Sequence, residues 1–114
     1  MSNAARGLEA EARAAAFLEA AGMRILERRY RSLVGELDLV ALDGDTVVFV
    51  EVKSRRSAAF GLPEEAVGPA KQRRLARAAE AYLALRGLTA SPARFDVVAI
   101  TPEGIRHLED AFRP

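Results

Sequence analysis

The stretch VVFVEVKSR, residues 47–55, constrains this chain more than any other. Val47, Val48, Phe49 and Val50 have the β-branched and aromatic composition of a strand covered on both faces. Glu51 and Lys53 follow. Side chains two apart along a strand project to the same side, so both share the face of Val47 and Phe49. A carboxylate and an ammonium thus stand where core is expected, and the face must change there from core to something else.

Residues 37–42 and 46–52 read as the two strongest strands, joined into a hairpin by the turn signal Asp43-Gly44-Asp45. If Gly44-Asp45 form a two-residue turn, or if 43–46 form a four-residue loop, paired residue numbers total 89. Asp38 then lies opposite Glu51, and Glu36 opposite Lys53. If Asp43-Gly44 form the turn, the total is 87 and Glu36 meets Glu51. Either odd total gathers Glu36, Asp38, Glu51 and Lys53 on one face, whereas a three-residue loop scatters them. Opposed carboxylates about 5 Å apart repel, by roughly 3 kcal/mol at an effective dielectric of about 20. A shared proton, the Lys53 ammonium or a divalent cation could offset this.

Residues 5–21 form an Ala-rich helical pattern ended by Gly22. Leu8, Glu11, Ala15 and Leu18 recur at helical spacing, which places Glu11 on the stripe facing the sheet. Glu9, Arg13 and Glu19 fall toward solvent. A buried glutamate without a partner is costly, so Glu11 is expected to point into the same polar pocket.

The remaining chain supplies an edge-type strand over 23–30, and a loop at Gly61 and Pro63 followed by a helical turn at 64–67. A helix then starts at Pro69 and closes at Gly87. A strand over 95–100 and a short one over 105–108 complete the order α-β-β-β-α-β(-β), an α/β fold with one mixed central sheet flanked by helices. At 114 residues, 1–114 is expected to be one domain.

Composition narrows the chemistry. The absence of cysteine excludes disulfides, thiolate metal sites and cysteine nucleophiles, and makes the cytoplasm the expected compartment. With one histidine, a metal site would have to be built from oxygen ligands, which suits magnesium or manganese and disfavours zinc. No apolar run approaches a membrane span, and the first residues lack a secretion-signal pattern, so no membrane partner is expected. The net charge is only +1, so any affinity for nucleic acid depends on where charge is placed. Lys71, Arg73, Arg74 and Arg77 spread over one side of the second helix, opposite Leu75, Ala79, Tyr82 and Leu83, and Arg55 and Arg56 directly follow the charged strand. These cations could neutralise backbone phosphates without reading sequence. Tyr82 and Phe95 read as core. His107 has no evident partner in the sequence and reads as structural or exposed, with no catalytic role.

The pattern D-x(12)-E-x-K formed by Asp38, Glu51 and Lys53, with Glu11 on the preceding helix, resembles the PD-(D/E)XK (restriction-endonuclease-like) nuclease superfamily, including the archaeal Holliday-junction resolvases. The whole chain looks closer still to the YraN family of uncharacterised bacterial proteins. The residues that carry this likeness are Gly7, Glu11, Gly22, GELDLVA from Gly35, VFVEVKSR from Val48, FGLPEEAV from Phe60, Lys71 and RFDVVAI from Arg94. Ala10 stands where that family usually has glycine, Arg29 where it often has asparagine, and Leu37 where the superfamily has proline before the acid.

The resemblance implies a metal-dependent endonuclease hydrolysing phosphodiester bonds in nucleic acid, DNA in preference to RNA, with branched or recombination-intermediate DNA as a candidate substrate. Asp38 and Glu51 would hold Mg²⁺ or Mn²⁺ with the Val52 carbonyl. Lys53 would position or activate water, and Glu11 would complete the shell or bind a second ion. Glu36 is placed in the pocket without a defined role. A homodimer would suit a symmetric junction that needs two cuts. The alternative reading is a non-catalytic nucleic-acid-binding module that retains the nuclease fold, and a third is an adaptor whose basic helix meets an acidic partner.

Overall fold

The computed structural model describes residues 3–55 and 67–114, with side chains from Gly7 onward. Arg56, the expected loop at Gly61 and Pro63, and most of the helical turn expected after it lie outside the described residues. The elements are α1 (Asn3–Ala20), β1 (Arg24–Arg31), β2 (Glu36–Asp43), β3 (Thr46–Ser54), α2 (Pro69–Leu85), β4 (Ala93–Thr101) and β5 (Gly104–Phe112). They form one mixed five-stranded sheet in the order β1-β2-β3-β4-β5. β3 and β4, which flank α2 in sequence, run parallel, and the other neighbours are antiparallel. This is the expected α/β architecture. The last strand is longer than the short one expected at 105–108, because β4 offers a full free edge and β5 pairs along it from Gly104 to Phe112.

The β2–β3 hairpin turns on Gly44-Asp45, with Asp43 paired to Thr46. Gly44, at φ +60°, occupies the first turn position, where a two-residue hairpin of type II′ requires glycine. Paired residue numbers total 89 from this turn to Leu39 and Val50, the first of the two odd registers.

The helices cover opposite faces. Ala10, Ala14, Ala15 and Leu18 of α1 pack on Leu39, Ala41, Val48, Val50, Val98 and Ile100. On the other face, Leu75, Ala78, Ala79 and Tyr82 of α2 pack on Val40, Val47, Phe49 and Val97. The Tyr82 ring meets Tyr30 and Phe49 edge-on, with centroids 5.1 and 5.9 Å away. Tyr82 and Phe95 are thus core, as expected. Leu8 corrects the α1 stripe. It is 49% exposed, because the stripe is centred on Ala14 and Leu18 and Leu8 falls at its margin.

Two further features differ from or extend the sequence reading. His107 is largely buried and has a partner: its Nε2 lies 2.7 Å from Asp96 Oδ2. Asp96 is fully buried and also accepts hydrogen bonds from Arg94 Nε (3.0 Å) and the Asp110 amide (2.9 Å). The β1–β2 turn, residues 32–35, is cross-braced by one side chain. Ser32 Oγ donates to the Gly35 carbonyl at 2.9 Å and accepts the amides of Val34 and Gly35, both at 3.2 Å. Gly35 seats this turn on α2, where a Cβ would lie 3.3 Å from that of Ala78. Among the described residues, no helix is long and apolar enough to cross a membrane.

Candidate functional site

The site begins where the β2–β3 ladder stops. The last pair is Leu39 and Val50, and one residue further the same register sets Asp38 toward Glu51. The regular alternation of β2 breaks here, since Leu39 lies in the α1 core and Leu37 in the α2 core. On the β1 side, Arg28 pairs with Leu39 and Tyr30 with Leu37, and between them Arg29 adopts φ +49°, an uncommon conformation for a residue with a side chain. With the strands splayed, Asp38 Oδ2 accepts the Val52 amide proton at 2.9 Å in place of a ladder carbonyl. The backbone irregularity therefore aims this carboxylate at β3.

Glu51 lies on the α2 side of the sheet and is only 6% exposed. Lys53 Nζ stands 3.4 Å from Glu51 Oε1, and Lys71 Nζ makes a close ion pair with the same oxygen. Lys71 has a partner that the sequence reading does not assign: from the first turn of α2 it reaches Glu51, while it also lines the groove shared with Arg74. The signal was present in its three-residue spacing from Arg74 and four-residue spacing from buried Leu75. Which way that edge of the helix faces is decided only by packing on the sheet.

The electrostatics reflect the crowding. Burial, then the charge of Glu51, push the Asp38 carboxyl up to about 7 against the opposing pull of the Val52 hydrogen bond. Burial and the neighbouring Lys71 hold the Lys53 ammonium below the usual lysine range, although Glu51 works the other way. For Lys71, burial is the largest single effect and opposes the charge, but the hydrogen bonds to Glu51 and Lys53 and the charges of Glu51 and Asp38 together outweigh it and raise the pKa.

Glu11 approaches from α1. Its Oε1 is buried and accepts no hydrogen bond, with Arg29 Nε at 3.4 Å as a loose ionic partner. Burial raises its pKa, Arg29 and Arg31 oppose the rise, and the charge of Glu51 adds to it. Glu11, Arg29, Glu36 and Asp38 line a polar cavity of about 30 Å³, enough for a water molecule or a small ion. Glu36 itself is exposed and pairs with Arg31 at 3.7 Å. A wider groove of about 290 Å³, lined by Val34, Gly35, Glu36, Lys71, Arg74 and Leu75, opens from Lys71 along α2. Arg73 and Arg77 are exposed outside that lining, and Arg55 is exposed just past β3, its Nη1 bonded to the Ser54 carbonyl at 3.2 Å.

The donor set suits a hard divalent cation. It consists of two carboxylates forced together and a third carboxylate with an unsatisfied buried oxygen. Among the described residues, no three carboxylate or imidazole side chains close on a common point. An ion here would therefore depend on Asp38 and Glu51 and keep water in the rest of its shell, as magnesium commonly does.

The fold and the site together define a small α/β protein with a carboxylate–lysine cluster set in the splayed end of a mixed sheet. Residues 10–100 match the family described as "Uncharacterised protein family UPF0102", the YraN family, and the chain belongs to it. It is similar to the UPF0102 protein of Syntrophus aciditrophicus, 54% identical over 114 residues that cover 96% of this chain and 90% of the relative. The UPF0102 protein of Geobacter sulfurreducens is 49% identical over 111 residues, covering 93% and 87%. That of Symbiobacterium thermophilum is 54% identical over 96 residues, covering 84% and 81%.

Proposed function

We propose that this cluster is the active site of a divalent-metal-dependent phosphodiesterase acting on nucleic acid, of the PD-(D/E)XK type. The observation that carries the reading is the setting of Asp38 beside Glu51 in a buried cluster, where burial first and the charge of Glu51 second raise the Asp38 carboxyl to about 7, with two ammonium groups on one oxygen of Glu51. Asp38, Glu51 and the Val52 carbonyl would hold Mg²⁺ or Mn²⁺, and Glu11 would act on its water shell from the polar cavity. Such an ion lowers the pKa of bound water and neutralises charge on the scissile phosphate and leaving oxygen.

The chain's own residues supply the rest. Lys53, whose ammonium is held below the usual lysine range, is suited to exchange a proton with the attacking water. Lys71, which keeps its proton more tightly, holds Glu51 and offers positive charge to a phosphate entering the groove. Arg74 extends that positive edge, and Arg55 flanks the end of β3. DNA is the favoured polymer, since the cluster resembles the DNA resolvases.

The experiment is cleavage of branched, nicked and linear DNA and of RNA with Mg²⁺ or Mn²⁺, by the wild type, Asp38→Asn and Glu51→Gln. Products formed by the wild type and lost in both variants support the reading. Equal cleavage by all three assigns the activity to something other than this site.

A second reading, a nucleic-acid-binding module without turnover, is favoured by one specific observation. Lys53 and Lys71 already neutralise Glu51, so the cluster has counter-charge without a metal. It predicts salt-sensitive binding that survives Asp38→Ala, with no metal-dependent product.

A further inference from the structure

Leu33 and Val34 stand at the tip of the β1–β2 turn, Leu33 fully exposed and Val34 half exposed. Two adjacent apolar side chains are here presented to solvent on a stiff mount. Ser32 braces the turn with its backbone bond to Gly35 at 3.1 Å and with three side-chain hydrogen bonds. Gly35 locks the turn against Ala78 of α2. The tip therefore does not need to be ordered when it meets a partner, which removes a common cost of binding.

Its surroundings indicate which partner. Arg31 is exposed at the end of β1, and Val34 shares the groove with Arg74 and Lys71, the lysine that touches Glu51. Arg73, Arg74 and Arg77 have no acidic partner among the described residues, whereas Glu36, the one acid in the groove lining, is paired with Arg31. An apolar point set between cations, joined by one groove to the proposed cleavage site, has the chemistry of a wedge. The cations hold phosphates while the leucine enters between bases, as apolar wedge residues do.

We infer that the Leu33–Val34 tip inserts at an interrupted base step in DNA, a nick or branch point, and so positions that discontinuity beside Glu51 and Lys71. Unstacking costs least where pairing is already disturbed, so a wedge favours such steps over continuous duplex. The inference rests on the nucleic-acid reading above and names its substrate class.

The test uses binding alone, in EDTA, so that cleavage plays no part. The probes are a linear duplex, a nicked duplex and a four-way junction of matched length, with 2-aminopurine at the discontinuity. The wild type should bind the nicked and branched probes roughly tenfold more tightly than the linear one and raise the 2-aminopurine fluorescence. Leu33→Ser and the double variant Leu33→Ser/Val34→Ser alter only exposed side chains. They should unfold at the wild-type temperature, keep the linear-duplex affinity within about twofold, and lose both the preference and the fluorescence rise.

Retention of the preference and fluorescence rise by the double variant overturns the wedge while leaving the nucleic-acid reading intact. If the wild type binds none of the three probes, the wedge falls, and the cleavage experiment on DNA and RNA decides the nucleic-acid reading separately. A change in sedimenting mass on Leu33→Ser, with DNA preference unchanged, assigns the tip to contact between protein chains and overturns the wedge.

Discussion

Asp38 takes the Val52 amide proton at 2.9 Å, standing in for a ladder carbonyl one residue past the last β2–β3 pair. The same carboxyl is pushed up to about 7 by burial and by Glu51. The site is thus held by a backbone bond that favours the charged form against burial and a neighbour that disfavour it, and burial and the neighbour prevail.

This has a direct consequence for stability without metal. A carboxyl whose pKa is raised from 3.8 to about 7 binds its proton more tightly in the native chain than in the unfolded one. Its stabilising effect is therefore full below about pH 4 and is lost as pH rises through about 7, a loss limited to on the order of 4 kcal/mol. Asp38→Asn removes that titration while Oδ1 can still accept the Val52 amide. In EDTA, urea unfolding should show the variant more stable than wild type by roughly 2 kcal/mol at pH 8, with the two converging near pH 4. A constant difference across that range would mean that Asp38 does not titrate in the native protein as described.

Lys53 and Lys71 share Glu51 Oε1, and Lys71 lowers the proton affinity of Lys53 both by hydrogen bonding and by charge. Lys71→Met keeps the length of the side chain and deletes the ammonium. The Lys53 pKa should move upward, as followed by NMR titration of its side-chain resonances without metal. The pH optimum of any metal-dependent cleavage should move upward with it, since a less acidic lysine sheds its proton later. An unchanged Lys53 titration would separate the two lysines.

Much of this geometry could be read in the sequence because a hairpin has few degrees of freedom. A two-residue turn at Gly44-Asp45 and the period of two fix the register as far as Leu39 and Val50, one residue short of Asp38 and Glu51, without knowledge of the rest of the molecule. What stayed hidden depended on packing between distant segments. The inward turn of Lys71 follows from the seating of α2 on the sheet, and the exposure of Leu8 from the centring of α1 on Ala14 and Leu18. Asp96 carried a faint signal, an acid opening an apolar run two residues after Arg94. Only the pairing of β5 beside β4 brings His107 to it.

Tyr82 offers a test of the α2 interface. Its hydroxyl donates to Glu27 Oε2 at 3.2 Å, Arg86 lies over its ring with Cζ 5.3 Å from the centroid, and burial followed by the charge of Glu27 raises its pKa to about 12. Ultraviolet titration should find this phenol ionising only near pH 12. Tyr82→Phe keeps the ring contacts, removes that titration and should cost about 1 kcal/mol, the usual value of one partly buried hydrogen bond. Loss of several kcal/mol would show that the hydroxyl supports more of the interface than the Glu27 bond.

The Asp96–His107 pair lies in the α1-facing layer, where the His107 ring meets Phe17 edge-on at 6.2 Å. Asp96 is fully buried and depends on Arg94, His107 and the Asp110 amide together. Asp96→Ala leaves Arg94 with Asp43 alone at 3.0 Å as its close partner and opens a polar void, so it should cost about 3–5 kcal/mol. His107→Phe replaces one hydrogen bond with apolar contact beside Phe17 and should cost about 1–2 kcal/mol. Because the two side chains share a contact, the double variant should be less destabilised than the sum of the single changes by at least about 0.5 kcal/mol. Chemical denaturation of the four proteins closes the cycle, and strict additivity would mean that the 2.7 Å contact contributes nothing to folding.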